Sequence, residues 1–202
     1  MPSEKPKSKR EIKQAEKRLY EPIKNDLERQ LLYHVRPRDK NKTYIPMREP
    51  PRIFPEKDVH LEVTADAKGR FSDMLERELD DDALYILKVE KVSPDITGFV
   101  RRKLNTKEII TEIITVEVKA EPIKISHFHQ AKFYQDIFKA TYGLLVSNWV
   151  IPERIKRFAL RRSDIRGNLI LAQYLEPLHV FRSHADFEPH IPELFKQFTK
   201  PI

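Results

Sequence analysis

The sequence predicts an α/β fold in which a mixed β-sheet is flanked by helices and preceded by a basic N-terminal extension. The first observation is a strongly β-branched stretch at 109–118, which is typical of a buried strand. The second is the helical spacing of apolar residues at 22–34 and again at 127–142. The third is the order of the predicted elements: a helix, three strands, a helix, a strand, a helix and a strand. Helices that separate strands in this way are typical of crossover connections within one sheet.

Length and composition favour a single soluble domain. At 202 residues the chain is long enough to build one full hydrophobic core. Hydrophobic residues make up 40% of it and charged residues 34%, and no apolar run approaches the roughly 18 residues that a membrane span needs. The first residues are polar and basic, unlike a secretory signal. We therefore expect a cytoplasmic protein with no membrane partner.

The net charge and the lack of cysteine limit the partners and the reactive groups that we expect for this chain. The chain contains no cysteine, which excludes disulfides, thiolate nucleophiles and zinc sites built on cysteine. Its net charge of +7 favours polyanionic partners, and nucleic acid is the commonest polyanion in a cell. DNA is the partner that we expect, and the sequence leaves a homodimer open.

The chain divides into an arm and a domain. Residues 1–21 are rich in lysine and arginine and are interpreted as a basic N-terminal arm or frayed helix. Residues 22–202 form the predicted domain, in which Pro22 suits the first position of a helix over 22–34. Five prolines between residues 35 and 58 predict a long irregular loop or insertion there.

The remaining elements are predicted from apolar patterns and from glycines that end them. Strands are expected at 59–63, 84–92, 96–100, 144–146 and 169–175. The acidic stretch 73–82 is expected to be a short helix or turn. Ser126 is the expected N-cap of the helix at 127–142, which would close at Gly143. A basic helix is expected at 155–166.

Two acidic residues and a lysine are predicted to meet on the hairpin formed by 94–100 and 109–119. If its turn centres on Thr106, Asp95 lies opposite Glu117. Side chains alternate along a strand, so Glu117 and Lys119 share one face while Val116 and Val118 enter the core. Two carboxylates and one ammonium group then converge on a single surface.

This convergence predicts a site for a hard divalent cation. Opposed side chains have Cβ atoms about 5 Å apart, and Mg²⁺ binds oxygen at about 2.1 Å, so one ion can bridge Asp95 and Glu117. Without an ion the two carboxylates repel each other, which argues against a purely stabilising role. We expect Mg²⁺ or Mn²⁺ to polarise a phosphodiester there, with Lys119 stabilising the charge that develops on the phosphate.

These residues resemble the motifs of the PD-(D/E)XK nuclease superfamily. Three pieces occur in the family's order: Pro94-Asp95, then Glu117-Val118-Lys119 after an apolar strand, then Gln130-Ala131-Lys132-Phe133-Tyr134. The last is similar to the Gln-x-x-x-Tyr motif of the RecB-type nucleases. The likeness covers roughly residues 84–175, and the helix at Pro22 would correspond to the family's leading helix.

The resemblance implies a restriction-endonuclease-like fold and a Mg²⁺-dependent deoxyribonuclease. It implies Asp95, Glu117, Lys119 and Gln130 as catalytic residues, with Gln130 supporting the site from the following helix. In the family the leading helix often adds an acid, for which Glu21 and Glu16 are both candidates. Endonuclease and exonuclease action, strand preference and junction preference all stay open.

Other interpretations compete with the nuclease site. A (D/E)-x-K triplet is common in so charged a chain, and Glu11/Lys13 and Asp66/Lys68 also satisfy it. Glu117 and Lys119 could form a solvated ion pair only. The leading alternative function is a non-catalytic nucleic-acid-binding or assembly subunit with a nuclease-like fold; a purely structural protein is a further one. Trp149 is expected to pack rather than stack on a base, and the arginines of 154–166 either bind phosphates or face solvent.

Overall fold

A six-stranded mixed β-sheet carries the fold, in a computed structural model that describes residues 8–35, 58–65, 67, 69–103, 109–162, 168–175 and 180–183. Its strands are β1 (Val59–Val63), β2 (Ile96–Lys103), β3 (Ile109–Lys119), β4 (Tyr142–Ser147), β5 (Leu169–Leu175) and β6 (Val180–Ser183). They lie in sequence order across the sheet. The pairs β1–β2, β2–β3 and β5–β6 are antiparallel, and β3–β4 and β4–β5 are parallel. The predicted α/β class with a mixed, helix-flanked sheet is confirmed.

Helices cover both faces of the sheet. They are α1 (Lys9–Val35), α2 (Asp73–Glu76), α3 (Asp81–Tyr85), α4 (Ile125–Ile137) and α5 (Glu153–Arg161). Helix α1 buries Leu19, Ile23 and Leu27 in one core with Val116 and Val118 of β3. Helices α4 and α5 pack on the other face in a second core with Leu145 and Leu171, among others. Strands β4 and β5 therefore divide their side chains between the two cores, as the alternation of a strand requires.

Helix α1 begins much earlier than the sequence analysis placed it. It starts at Lys9, runs through the expected boundary at 21/22, and contains Pro22 in its interior. Ser8 and Glu11 form a reciprocal cap: the Glu11 amide donates to Ser8 Oγ (3.3 Å) and the Ser8 amide to Glu11 Oε2 (2.6 Å). The Glu11/Lys13 triplet is thus part of a helix start. Proline costs the helix one backbone hydrogen bond, which the burial of Leu19 on one side and Ile23 on the other offsets.

The strand predicted at 84–92 is wrong. This segment forms the end of α3 and a π-helical turn, Ile86–Glu90. Asp80 caps α3 by accepting the amide of Ala83 (2.9 Å), and Leu79, Ala83 and Leu87 recur every four residues on one buried face. The apolar residues of so short a segment fit either a strand or a helix. Here the cap at Asp80 favours the helix.

The boundaries of α4 also differ from the prediction. The helix begins at Ile125, with Lys124 rather than Ser126 at the N-cap, and ends at Ile137. Gly143 does not close it but lies within β4. A Cβ on Gly143 would approach Leu169 Cδ1 at 3.0 Å and Gln135 Cβ at 3.1 Å. Glycine is needed there for close helix–strand packing, a role that the sequence does not distinguish from helix termination.

Several predicted segments are confirmed and others lie outside the described residues. The strands expected at 59–63, 96–100, 109–118, 144–146 and 169–175 all occur, and β6 is an additional one. The first seven residues, most of the proline-rich segment, the hairpin turn at 104–108, Gly167, and Asp66 with Lys68 are not described. Within the described residues, no helix combines the length and apolar character needed to cross a lipid bilayer.

Candidate active site

Asp95 is held at the start of β2 by contacts with the end of β1. Its carbonyl oxygen accepts the amides of Thr64 (2.9 Å) and Ala65 (3.2 Å). The Thr64 hydroxyl donates to the carbonyl of Pro94 (2.6 Å), which fixes the preceding peptide as well. The Pro94-Asp95 backbone is therefore anchored on the neighbouring strand before β2 begins.

The Asp95 carboxylate points to β3. Ile96 pairs with Val116, the register that a turn centred on Thr106 requires. Val118 lies beyond this last pair of the β2–β3 ladder, and its amide donates to Asp95 Oδ2 at 2.7 Å. The side chain thus provides the acceptor that β2 no longer supplies, and it brings a carboxylate to the end of β3.

Glu117 and Lys119 lie at that same end of β3. Their register partners in β4 are Leu145 and Ser147, and their side chains project away from the core that contains Val116 and Val118. Glu117 is 3% exposed and Lys119 9%. Lys119 Nζ lies 2.5 Å from Glu117 Oε1. The ion pair is therefore buried, not solvated as the alternative interpretation held.

Burial and neighbouring charges shift the pKa values of both Glu117 and Lys119. Burial raises the pKa of Glu117 to about 8, the charge of Asp95 adds to the shift, and Lys119 opposes it. For Lys119, burial favours the neutral form, but the charge and hydrogen bond of Glu117 outweigh it and raise the pKa above its usual value. The positive charge of Lys119 thus offsets only part of the effect of burial and of Asp95 on Glu117.

Helix α1 adds Glu16 and Tyr20, four residues apart on one helix face. Burial raises the pKa of Glu16, and its carboxylate accepts the backbone amide of Ala120, directly after β3. Burial and the charge of Asp95 raise the pKa of Tyr20 far above its usual range, so its hydroxyl stays protonated and donates to Asp95. Of the two acids left open by sequence, Glu21 lies away from the site, 62% exposed at its side chain and paired with Lys24; Glu16 is the one brought to it.

Helix α4 contributes Gln130 and Tyr134, whose side chains are hydrogen bonded to each other. Burial raises the pKa of Tyr134, and the charges of Glu117 and Asp95 raise it further, so this hydroxyl lies within electrostatic range of the acidic residues. The predicted Gln-x-x-x-Tyr pair thus lies next to the site. The support that Gln130 is expected to give to the site stays a prediction.

His127, at the start of α4, is a neutral neighbour of the site. Its Nδ1 accepts the amide of Lys124 (3.3 Å), and its Nε2 lies 3.3 Å from Glu121 Oε1. Burial lowers the pKa of His127 to about 4, and the positive charge of Lys119 contributes. The imidazole therefore adds no positive charge at neutral pH.

The carboxylates at this site offer few ligands for a hard divalent ion. Within the described part of the chain, no group of three or more His, Cys, Asp or Glu side chains has an arrangement suited to holding a metal. Mg²⁺ typically uses only one or two carboxylates and completes its octahedron with waters and substrate phosphates. Glu16, Asp95, Glu117 and Lys119 together carry two net negative charges when all are ionised, which matches one divalent ion.

Comparisons of the chain with models of protein families, with curated proteins and with solved structures find no match. The structure by itself defines an α/β protein with a mixed, helix-flanked sheet. Of the residues that the sequence predicted, Asp95, Glu117 and Lys119 lie together with Glu16 and Tyr20, and Gln130 is hydrogen bonded to Tyr134 on α4. Tyr20 was missed because the helix was expected to begin after it; the Ser8-x-x-Glu11 signal would have revealed the four-residue spacing of Glu16 and Tyr20.

Proposed function

We propose that the protein is a metal-dependent nuclease that hydrolyses DNA phosphodiester bonds with Mg²⁺ or Mn²⁺. The observation that carries the proposal is the convergence of the buried Glu117 and the half-buried Asp95 beside Lys119 at the end of two paired strands. A buried carboxylate with a raised pKa and no full set of donors is costly for stability, and such groups cluster at functional sites. A divalent ion would relieve the cost.

Each residue has a defined task in this proposal. Asp95 and Glu117 hold the ion, which when bound polarises the phosphodiester and acidifies a water. The Val118 amide and the Tyr20 hydroxyl orient the Asp95 carboxylate. Lys119 would donate to a phosphate oxygen and stabilise the charge that grows in the transition state.

The chain topology supports a restriction-endonuclease-like core. Three antiparallel strands precede a crossover helix that returns to a parallel fourth strand; Asp95 directly precedes the second strand, and Glu117 lies on the third. Tyr134 of that crossover helix is hydrogen bonded to Gln130 and is influenced by the charges of Glu117 and Asp95. This arrangement agrees with the PD-(D/E)XK motifs in the sequence, and the assignment to that superfamily is part of the proposal.

The surface of α5 supports a polyanionic substrate. Arg154, Arg157 and Arg161 are exposed along this short helix, and the chain as a whole carries a net charge of +7. Exposed guanidinium groups bind phosphate oxygens and release counterions, which makes binding steeply dependent on salt. These arginines equally favour the alternative function, a nucleic-acid-binding or assembly subunit that performs no chemistry.

The test is cleavage of single-stranded, duplex and branched DNA in Mg²⁺, Mn²⁺ and EDTA. We expect cleavage with either metal and none in EDTA, and we expect Asp95→Ala and Lys119→Ala to abolish it while the circular dichroism spectrum and most DNA affinity remain. Lys139→Ala is the matched control, because Lys139 is an exposed lysine paired with Asp80 away from the site. A variant at Asp95 or Lys119 that cuts like the parent contradicts the assignment. DNA binding with a steep salt slope, without cleavage or calorimetric Mg²⁺ binding, establishes the non-catalytic alternative.

A further inference from the structure

Trp149 is an exposed aromatic residue in an unusual setting. It is the only tryptophan of the chain and lies just after β4, with 40% of its surface exposed. Its indole Nε1–H donates to the carbonyl oxygen of Ala120 at 2.9 Å. The expectation that this residue simply packs is therefore incomplete: one edge of the ring is anchored, and part of the ring faces solvent.

The segment that carries Trp149 is tied to the end of β3. The Ser147 hydroxyl donates to the carbonyl of Glu121 (3.0 Å) and accepts the backbone amide of Trp149 (3.0 Å). With the indole bond, two hydrogen bonds connect this turn to the two residues that follow Lys119. Trp149 is therefore held in a defined orientation, which lowers the entropy that a ligand contact would otherwise cost.

The anchor places the indole beside the acidic site. Ala120 follows Lys119 directly, at a Cα distance of about 3.8 Å, and its amide donates to the carboxylate of Glu16. One residue thus binds Glu16 through its N–H and Trp149 through its C=O. The indole N–H thus lies one residue along the backbone from Lys119, a separation smaller than one nucleotide.

We propose that Trp149 stacks on an unpaired nucleobase next to the scissile phosphate, so that the preferred substrate is DNA with unstacked bases at the cut: single strands, flaps and branch points. This inference rests on the proposed nuclease function for its account of cleavage. An intact duplex keeps its bases stacked on one another and offers the indole no free face. The indole N–H is already used, so the contact reads a base face without selecting its sequence.

Because Trp149 is the only tryptophan, its fluorescence reports the contact directly. In EDTA, where no strand is cut, we expect a single-stranded oligonucleotide to quench the emission. A strand of equal length and charge built from abasic sugars should leave it nearly unchanged, and a blunt duplex should quench it much less. Equal quenching by the abasic strand or by the duplex, or no quenching by the single strand, overturns the proposal.

Two variants separate stacking from a structural role of the indole bond. With an end-labelled single strand, we expect Trp149→Ala to bind about 5-fold to 150-fold more weakly, and Trp149→Phe, which keeps a ring but lacks the N–H, to retain most of the affinity. If the phenylalanine variant is as weak as the alanine variant, the ring acts only by anchoring its turn and the proposal fails. Tyr85→Ala is the control, because Tyr85 is a similarly exposed aromatic residue on α3.

Cleavage assays then test the stacking role of Trp149 separately from the proposed nuclease function on which it rests. If the parent protein cuts single strands and flaps in preference to duplex, and Trp149→Ala loses that preference, the nuclease function and the stacking role of Trp149 are both supported. Cleavage that is unaffected by Trp149→Ala overturns the stacking role and leaves the nuclease intact. Base-dependent quenching by a protein that cuts no DNA in Mg²⁺ or Mn²⁺ keeps Trp149 as a base-binding residue and removes the nuclease.

Discussion

Two glutamates on this sheet, Glu62 of β1 and Glu117 of β3, have opposite pKa shifts because their hydrogen-bond partners differ. Glu62 accepts the amide and the hydroxyl of Ser72 and contacts His60 Nε2 at 2.6 Å. Burial alone would raise its pKa, but the hydrogen bonds from His60 and Ser72 outweigh it and lower the pKa below the usual value. Among the residues that the structure describes, Glu117 has one donor, Lys119, and two acidic neighbours, and its pKa rises.

The comparison separates a structural carboxylate from a functional one. Ser72 also caps α2 by accepting the amide of Leu75 (3.2 Å), so Glu62 completes a helix start. His60 meets both Glu62 and Ser72 through the same nitrogen, Nε2, and therefore cannot pass a proton between them as a catalytic triad would. Burial and charge alone do not identify a functional site, because Glu62 has both. Glu117 differs because its donor does not keep its pKa low against burial and two acidic neighbours.

The largest expected effect is on catalysis, where the two glutamates should behave in opposite ways. Glu117→Gln removes a proposed metal ligand, and we expect the cleavage rate at saturating DNA to fall by about 10²-fold or more, since a bound ion contributes several kcal/mol of transition-state stabilisation. Glu62→Gln should leave the rate per folded molecule unchanged. Initial rates of the two variants, normalised to the folded fraction, decide this.

Stability should show the reverse pattern. Glu62→Gln breaks hydrogen bonds to a charged, half-buried acceptor, and we expect a loss of about 1–3 kcal/mol in the free energy of unfolding at pH 7. Glu117→Gln mimics the protonated form that the metal-free protein already prefers, so urea titration in EDTA should show no loss. A Glu117→Gln variant that is less stable than Glu62→Gln would reverse the roles assigned to the two residues.

An intermediate effect is expected from pH. The folded-state pKa of Glu117 is raised to about 8, so below that value a proton must leave before the carboxylate can bind a cation. Mg²⁺ affinity should therefore increase by up to about tenfold per pH unit between pH 6 and 8 and level off above. The same shift means that the contribution of Glu117 to metal-free stability is full below about pH 4.5 and is lost as pH rises through about 8.

Calorimetric titration of Mg²⁺ from pH 6 to 9 measures this dependence, and proton release should accompany binding on the acid side. Glu62→Gln should give the same pH profile as the parent, because Glu62 is already ionised across this range. An affinity that is flat or decreasing with pH would show that Glu117 does not exchange its proton for the ion.

The smallest expected effect concerns Tyr20. Tyr20→Phe removes the hydroxyl that donates to Asp95, a hydrogen bond to a charged group worth about 1.5–3 kcal/mol at most, so we expect Mg²⁺ affinity to fall by about tenfold and the fold to persist. Titration with Mg²⁺ measures the change. Tyr174→Phe is a matched control, because Tyr174 lies in the same core and its hydroxyl donates to Asp26 Oδ2 at 2.6 Å; an equal loss of affinity there would mean that the effect is not specific to Asp95.

The local patterns that predicted the fold were those with strong periodicity. The β-branched run of β3, the alternation of β1 and the register of the hairpin were confirmed, because each depends on neighbouring residues only. The segment 84–92 failed because its apolar residues fit either periodicity and a cap at Asp80 decided for a helix. The start of α1 was missed because Pro22 was weighed above the cap at Ser8.

What the sequence by itself determined is the pairing of Asp95 with the end of β3, since alternation along two strands and one turn position is enough to bring Asp95, Glu117 and Lys119 together. Only the tertiary structure decided that Glu16 and Tyr20 join them, that Glu117 is buried with too few donors, and that Trp149 is anchored beside Ala120. These features depend on how α1 and the turn after β4 pack against the sheet. Such long-range packing is set by the whole core, and no local pattern encodes it.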